Sequence, residues 1–393
     1  MVGVFAMCVC VAVALTAVQG AIGARVRTPK PRAHARKAFA AFPIPPSNGK
    51  PDAITAGRDG NLWFTEGAAN EIGRITPSGR ISQFRIPTAN STPFGIVAGP
   101  DGNLWFTEYS ASKIGRITPN GVIREYPIPI ANGGPNQITA GPDGNLWFTD
   151  DPNGIGRITP SGTISEFPLP MPKSGPVGIA PGPDGNVWFA EISGHRIGRI
   201  TPSGTITEFP IATPESFPNT ITRGPDGNLW FTMGANKIGR ITPSGAINSF
   251  AAPTSEGSPL GITAGPQGAL WFTDTNNSIG RITPSGKVSQ FPLPTEEVSP
   301  QAITAGPRGT LWLTELYGNA IVRVEPRLLE GCVVPTLLGK ALARAKQLLR
   351  RAHCGLGIVG NPYKLKGKLV VVVQRPAPKT VLPAGTKVSM RLG

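Results

Sequence analysis

Carboxylates recur at a fixed spacing along this chain of 393 residues. In six of seven copies of one phrase, an acidic residue lies three positions after a tryptophan, and the remaining copy has methionine there. The members of this carboxylate set are Glu66, Glu108, Asp150, Glu191, Met233, Asp274 and Glu315. A ring of carboxylates could hold a divalent cation through oxygen ligands. The structural alternative is that they accept hydrogen bonds from backbone amides or recurring arginines, and we favour it because a feature of every repeat is more often structural than catalytic.

A second recurring position directly follows a proline at the start of each repeat, and its residue changes while its surroundings stay nearly constant. The members of this variable set are Asp52, Phe94, Asn136, Val177, Asn219, Leu260 and Gln301. A nearly constant scaffold on which one exposed side chain varies from repeat to repeat is typical of a ligand-binding surface. Neutral drift at exposed positions would give the same pattern.

Both sets belong to a repeat that is marked by seven tryptophans, spaced 41 or 42 residues apart. These are Trp63, Trp105, Trp147, Trp188, Trp230, Trp271 and Trp312. A period near 40 that is built from short strands is typical of a β-propeller, so we predict an all-β, seven-bladed propeller. The copy that begins at Gln137 divides into four predicted strands, separated by turn sequences rich in Gly, Pro and Asp. These strands are 137–140, 146–149, 155–159 and 163–167.

The last repeat lacks a fourth strand, and a spare copy of that strand, residues 41–45, precedes the first repeat. We therefore predict that this N-terminal strand completes the seventh blade, so that no open edge remains. The propeller is predicted to span residues 38–326. The innermost strands of such a fold surround a channel where ligands bind, and both sets are candidates to face it.

The N-terminal segment is predicted to direct export. Residues 2–24 are uncharged and apolar and end in small residues, so 1–24 is interpreted as a secretory signal peptide, followed by a basic, proline-containing linker over 25–37. An uncleaved membrane anchor is the alternative, because the usual basic start is missing. Export favours a disulfide between Cys332 and Cys354, the two cysteines outside the signal. Two buried thiols are the alternative.

Basic charge is concentrated at the two ends. The net charge of +15 includes six basic residues over 25–37, and thirteen basic residues against one acidic residue from Arg327 onward. This leaves 19 basic and 22 acidic residues over 38–326, a net charge of −3. The basic tail could bind an anionic envelope polymer, although a solvated helix face has the same composition. We expect no nucleic-acid binding, since Tyr363 is the single aromatic residue of the tail, and we expect a monomer.

Residues 327–393 are predicted to form a small α+β domain. Residues 336–354 carry an apolar stripe at helical spacing, with Gly355 placed to end the helix. An early strand and a hairpin of strands 368–374 and 386–392 complete it. The runs V-P-T-L-L-G-K and P-A-G-T-K-V resemble a PASTA domain. This resemblance implies an extracellular module, and some such modules bind peptidoglycan fragments or β-lactams.

The repeats themselves, through L-W-F-T-E and I-G-R-I-T, resemble the streptogramin B lyases, also called virginiamycin B lyases, over all seven copies. The resemblance implies a Mg²⁺-dependent elimination that opens a cyclic depsipeptide antibiotic, with histidine as general base. The family histidines follow the proline of the last two blades, where this chain has Leu260 and Gln301. One family metal-binding glutamate falls on Ser299, and the other lies near Glu315. The histidines of this chain lie elsewhere, at His34, His195 and His353.

These observations favour a secreted or envelope-associated propeller that binds a small molecule or peptide in its channel without catalysis. The alternative is a lyase, or a lactonase-type hydrolase, in which Asp52, Asp274 or Glu315 serves as base or metal ligand. Asn136 and Asn219 would then orient the substrate, and Mg²⁺ would be the cofactor of the lyase. The candidate catalytic residues are Glu315, Gln301 and Asp274.

Overall fold

The computed structural model describes residues 38–393 except 47, 131–132, 153, 214, 253–256, 296–297, 330–331, 334–335, 352–354, 361–369, 376–380, 383–386 and 393. The predicted signal peptide and basic linker, with His34, lie outside the described residues, as does His353. No helix of the described part is long and apolar enough to cross a membrane.

The described residues between 39 and 324 form seven four-stranded antiparallel sheets, numbered here 1 to 7 in chain order. The first strands are Pro51–Ala56, Pro93–Ala98, Gly134–Ala140, Pro176–Pro181, Ile221–Arg223, Pro259–Ala264 and Pro300–Ala305. The second strands are Leu62–Glu66, Leu104–Glu108, Leu146–Asp151, Val187–Glu191, Leu229–Met233, Leu270–Asp274 and Leu311–Glu315. The third strands are Glu71–Ile75, Lys113–Ile117, Gly154–Ile158, Arg196–Ile200, Lys237–Ile241, Ser278–Ile282 and Ala320–Val324. The fourth strands are Ile81–Arg85, Ile123–Pro127, Ile164–Pro168, Ile206–Pro210, Ile247–Ala251, Val288–Pro292 and, for sheet 7, Phe39–Pro43.

The first strands form the centre of the assembly. Each contacts the first strands of the sheets before and after it, and the first strand of sheet 7 contacts that of sheet 1. Phe39–Pro43 pairs antiparallel with Ala320–Val324. It begins two residues before the predicted 41–45, and Glu325 N extends the pairing by donating to the carbonyl of Ala38. The all-β architecture of a β-propeller is confirmed.

The recurring phrase folds as it does because small residues make room for aromatic rings. In sheet 1, Asp59 accepts hydrogen bonds from the backbone N–H of Asn61 and from Nε1 of Trp63, which fixes the turn onto the strand. A Cβ on Gly73 would lie 2.1 Å from the ring of Phe64, so glycine is required there. Trp63 and Phe64 are fully buried. The first strand of sheet 3 begins three residues earlier than predicted, because Gly134 and Pro135 pair with the second strand across a bulge.

A stacked aromatic pair with an arginine joins the outer parts of neighbouring sheets. The rings of Trp63 and Phe84 stack at 5.6 Å, and the Arg74 guanidinium lies 5.4 Å from both ring centres. Arg74 then donates to the carbonyl of Pro119, in the 3–4 turn of the next sheet. The same bond crosses from sheet 7 to sheet 1, from Arg323 to Pro77. Burial of large apolar rings and the cation–π contact stabilise each junction.

At the centre, threonine hydroxyls join neighbouring sheets. In six sheets a fully buried threonine near the end of the second strand accepts from a backbone N–H of its own first strand at 2.8–3.1 Å. The same hydroxyl donates, at 2.5–2.8 Å, to a backbone carbonyl of the next sheet. These bridging threonines are Thr65, Thr107, Thr149, Thr232, Thr273 and Thr314. Thr314 donates to Asp52, so the series passes from sheet 7 to sheet 1.

Sheet 4 has Ala190 in place of the bridging threonine. Here Gly178 N donates directly to the carbonyl of Asn219, at 3.1 Å. A Cβ on Gly178 would lie 2.2 Å from that carbonyl oxygen, so this junction requires glycine. The first strand of the following sheet is shortened to Ile221–Arg223.

The C-terminal part contains the helices Pro326–Leu329 and Leu342–Arg351 and the strands Cys332–Val333, Gly355–Gly360, Val371–Arg375, Val381–Leu382 and Lys387–Leu392. Ala345 and Leu349 of the longer helix pack in one buried cluster with Val371 and Val388. Gly355, the predicted end of this helix, begins a strand that pairs in parallel with Lys387–Leu392. Residues 352–354, between the helix and this strand, lie outside the described residues, so the helix end stays a prediction. The strand itself was not expected, because glycine is depleted in strands. The predicted disulfide stays a prediction, since Cys354 lies outside the described residues.

Replacing one bridging threonine tests this junction. Thr107→Val keeps the shape but leaves the N–H of Gly95 and the carbonyl of Asn136 buried without partners, so we expect the free energy of unfolding to fall by about 1–3 kcal/mol. Thr107→Ser keeps the hydroxyl and loses a buried methyl, at about 0.8 kcal/mol. Urea unfolding measures both variants. Equal stability of the Val and Ser variants would contradict a role for the hydroxyl.

Candidate functional site

Six members of the variable set lie at the bulged start of the innermost strands, and the seventh, Asn219, lies two residues before the strand Ile221–Arg223. The bridging threonines hold the backbone carbonyls of the variable set and leave its side chains out of the hydrogen bonds between sheets. Gly95 directly follows Phe94 of the variable set. A Cβ on Gly95 would lie 2.7 Å from the carbonyl oxygen of Asn136, so the position after the variable residue faces the neighbouring sheet. Side chains alternate along a strand, and the variable residues therefore face the other way. Gln301 is buried, and the other six are half-buried.

Asp52 is the ionisable member of the variable set. Its carboxyl group has no hydrogen bond or ion pair within the part of the chain that the structure describes. Burial raises the pKa of this carboxyl to about 7. Two neighbours flank it: Thr314 links it to sheet 7, which carries Gln301, and Thr65 links Ala53 to the carbonyl of Phe94 in sheet 2. The consecutive order Gln301, Asp52, Phe94 follows from these two bridges.

The two positions where the resemblance implied catalytic histidines have no general base. Leu260 has an aliphatic side chain. The amide Nε2 of Gln301 donates to Ser299 Oγ at 2.9 Å. Neither group accepts a proton near neutral pH, so an elimination at this ring would need another base.

The carboxylate set is more deeply buried than the variable set. Every member, including Met233, is at most 2% exposed. The second strand ends at this position in most sheets, under the loop that leads from the preceding fourth strand into the first strand. Glu66 accepts from Gln83 Nε2 of the fourth strand at 3.0 Å, Asp274 accepts from Gln290 Nε2 at 3.0 Å, and Glu315 accepts from Thr295 Oγ1 of the loop at 3.0 Å.

Three consecutive sheets place a second carboxyl opposite the set, on the fourth strand. The pairs are Glu108 with Glu125, Asp150 with Glu166, and Glu191 with Glu208. Burial, and then Glu125, raise the pKa of Glu108 to about 8, against smaller opposing effects of Ser91 and Lys113. Burial raises the pKa of Glu66 and of Glu191 to about 7. The pKa values of Asp274 and Glu315 are also raised by burial.

This geometry favours the structural alternative for the carboxylate set. No group of three or more acidic, histidine or cysteine side chains among the described residues is arranged to hold a metal ion. The carboxyls of Glu66 and Asp274 instead bind the fourth strands of their own sheets, and the carboxyl of Glu315 binds the loop that precedes its sheet. The structural alternative had allowed the recurring arginines as hydrogen-bond donors to these carboxyls. The arginines have other partners: Arg74, for example, stacks on Trp63 and donates to the carbonyl of Pro119 in the next sheet. Glu315 and Asp274, the other catalytic candidates, are both buried and hydrogen-bonded in this way.

His195 has a structural role in the hairpin between the second and third strands of sheet 4. It has a left-handed backbone, φ 54°, as do the corresponding residues of five other sheets. These are Asn70, Ser112, Asn236, Asn277 and Asn319. Asn70 Oδ1 accepts from Ser91 N at 2.8 Å, and in the same way His195 Nδ1 accepts from Phe217 N at 3.3 Å. His195 therefore fastens a loop and lies outside the variable set.

Known proteins with similar sequences and structures share this propeller fold. The model of the virginiamycin B lyase family matches residues 28–232 and 151–329, more than half of the chain. The chain belongs to the virginiamycin B lyase family. Among solved structures, a streptogramin B lyase is 40% identical over 73% of this chain and 97% of its own, with a TM-score of 0.70. No curated protein matches the chain.

Two further similar structures are of one related enzyme. Virginiamycin B lyase from Staphylococcus aureus is 40% identical over 72% of this chain and 98% of its own, with a TM-score of 0.70. A second structure of that enzyme, with the same identity, coverage and TM-score, is a catalytically inactive variant with one histidine changed to alanine, with quinupristin. One histidine-to-alanine change thus accompanies loss of activity in a relative that shares the propeller.

The carboxyl pairs predict a pH dependence of stability. Glu108 keeps its proton in the folded state up to about pH 8, whereas the unfolded chain loses it near 4.5. Unfolding between these values releases a proton, so this group makes stability fall as pH rises through the window. Glu108→Gln should make the slope of unfolding free energy against pH less negative, by up to about 1.4 kcal/mol per pH unit. Urea unfolding from pH 5 to 8 measures it. The exposed Glu215→Gln is the control, and an unchanged slope in Glu108→Gln would contradict the assignment.

Proposed function

We propose that this member of the virginiamycin B lyase family is an exported, closed seven-bladed propeller that binds a ligand at its inner ring without catalysing the family's elimination. The observation that carries the proposal is the pair of side chains at the two histidine positions. Leu260 cannot accept a proton, and the Gln301 amide is occupied by Ser299. The frame around them, including the threonine bridges, is intact on both sides of the positions.

The same positions support ligand binding in place of catalysis. The side chains of the variable set are free of the bonds that hold the sheets together, so they can change without loss of the fold. They combine three apolar residues with amides and one carboxyl. Pockets that bind small molecules or peptides have this mixture of apolar surface with a few polar groups.

A second candidate function is a lyase or lactonase that uses Asp52 as its base. It is favoured by the pKa of Asp52, which burial raises to about 7. A carboxylate with such a pKa is suited to proton abstraction near neutral pH. Mg²⁺ would then stabilise the developing charge, although the described residues offer no arranged set of ligands for it.

The enzymatic alternative is tested with quinupristin. Purified protein with excess Mg²⁺ should leave its ring intact by mass spectrometry, while the Staphylococcus aureus enzyme, as the assay control, opens it. Ring opening by this chain would refute the non-catalytic function. If that activity were lost in Asp52→Asn and kept in the exposed Glu215→Gln, the second candidate function would replace the first.

We also propose that residues 327–393 form a PASTA-like module that holds the protein at an anionic polymer of the cell envelope. Support comes from Leu342–Arg351, where the exposed Arg344 and Lys346 flank, one on each side, the buried stripe of Ala345 and Leu349. Lys340, Lys387 and Arg391 add exposed positive charge. A surface of this kind raises the local concentration of a protein at a polyanion.

The double variant Arg344→Glu with Lys346→Glu tests this surface in the full chain. Co-sedimentation with purified cell wall at low salt should fall about tenfold or more, since two attractive charges become repulsive. The wild-type interaction should also weaken with added salt. Lys287→Glu, an exposed change in a propeller turn, should have a small effect. Equal loss in the Lys287 variant would show that net charge alone matters and would contradict a binding surface on the helix.

A further inference from the structure

The carboxyl of Asp52 is the single ionisable group of the variable set. It is half-buried at the innermost strand of sheet 1, and no described residue donates a hydrogen bond to it or forms an ion pair with it. Because the side chain is partly exposed, a ligand can reach this carboxyl. The fold does not require the carboxyl either, because Thr314 binds the backbone carbonyl of Asp52 and leaves its side chain uninvolved. A role in ligand binding explains why it is there.

The two neighbours of Asp52 in the ring limit what the ligand can be. Phe94 follows it on one side, and a single hydroxyl, that of Thr65, connects Ala53 N at 3.1 Å with the carbonyl of Phe94 at 2.8 Å. Gln301 precedes it on the other side, and its amide is engaged with Ser299. A ligand that reaches both side chains would meet a carboxylate and an aromatic ring. This combination suits an organic cation, which the carboxylate attracts by charge and the ring by its negative face.

A divalent metal fits this position poorly. Mg²⁺ and Ca²⁺ take six or more oxygen ligands from carboxylates, carbonyls and waters. Asp52 is the sole acidic member of the variable set, and no arranged group of three ligands exists among the described residues. Phe94 and Leu260 provide no oxygen ligand. An alkylammonium group needs one carboxylate and an apolar or aromatic wall, and the ring offers both.

We propose that Asp52 is the specificity-determining residue of the inner ring and that the ligand carries a protonated primary amine on an apolar or aromatic body. Asp52 binds the ammonium group, and Phe94 packs against the cation and its adjoining carbons. Leu260 supplies apolar surface elsewhere in the ring, and Asn136 and Asn219 supply amide groups. This inference rests on the proposed function, in that the inner ring binds a ligand.

The experiment compares two probes of the same size, phenethylamine and 2-phenylethanol, on the full chain at pH 8, where the Asp52 carboxyl is ionised. Binding is measured by calorimetry and by changes in the protein NMR spectrum. We expect phenethylamine to bind at least about tenfold more tightly than the alcohol, since one ion pair in a half-buried site is worth about 1.4 kcal/mol or more. The alcohol tests whether the apolar body alone is sufficient.

Variants then assign the effect to residues. Asp52→Asn, which keeps the size of the side chain, should lower the affinity for the amine to that for the alcohol. Phe94→Leu should weaken amine binding about two- to fivefold through loss of the cation–π contact and leave the alcohol less affected. Glu215→Gln, an exposed change in a loop, should leave both affinities unchanged. Thermal unfolding of each variant checks that the fold is kept.

Three results would overturn the inference: no binding of the amine, equal binding of amine and alcohol, or amine binding that survives Asp52→Asn. Binding of Mg²⁺ alone that requires Asp52, without amine binding, would assign the residue to a metal instead. These outcomes are separate from those of the proposed function. Ring opening of quinupristin would refute the non-catalytic function and leave amine recognition standing, whereas absence of amine binding would leave the quinupristin result unaffected.

Discussion

The propeller depends on a hydroxyl group that both accepts and donates a hydrogen bond. In six of the seven sheets, a threonine near the end of the second strand accepts from the start of the first strand of its own sheet and donates to the same region of the next sheet. Valine has the same shape and can do neither, and a longer polar side chain would not fit between two backbones. Because the group is buried, each bond is formed away from competing water. The threonine of sheet 7 reaches sheet 1 in the same way, so the first and last sheets meet by the contact that joins five other pairs of neighbouring sheets.

This bridge also explains how a binding site can change within a fixed frame. It uses the backbone carbonyls of the variable set and none of their side chains. The side chain at this position can therefore vary while the hydrogen bond between the sheets is kept. Where the bridge itself is altered, at Ala190, the backbone responds: Gly178 bonds directly to Asn219, and the next first strand shortens. The fold is sensitive to the threonine and tolerant of its neighbours.

The sequence was sufficient for the features that repeat, because a constraint present in every copy is visible as a period. The tryptophan spacing predicted the strands of each sheet, and the missing fourth strand pointed to residues 41–45, two residues from the observed start. The glycine-rich strand Gly355–Gly360 was not predictable in this way, since it occurs once and opposes strand propensity. Nor could spacing show which way a carboxylate faces. Glu66 and its counterparts lie under loops because side chains alternate along the second strand, which at this point faces a bulge in the first strand. The spacing of residues in the repeat does not contain this detail of register.

The residues of the frame and the residues of the inner ring are under different physical constraints in this chain. The repeated residues are those that bury rings, close turns and join sheets, and their loss would cost stability in every copy. A side chain that faces the ring contributes nothing to those contacts. Leu260 and Gln301 therefore leave the frame unchanged, although neither side chain accepts a proton near neutral pH. The fold likewise does not constrain the side chain of Asp52, because it uses only the backbone carbonyl of this residue. A carboxyl that is unpaired and that the fold does not need is best explained by the ligand that the ring binds.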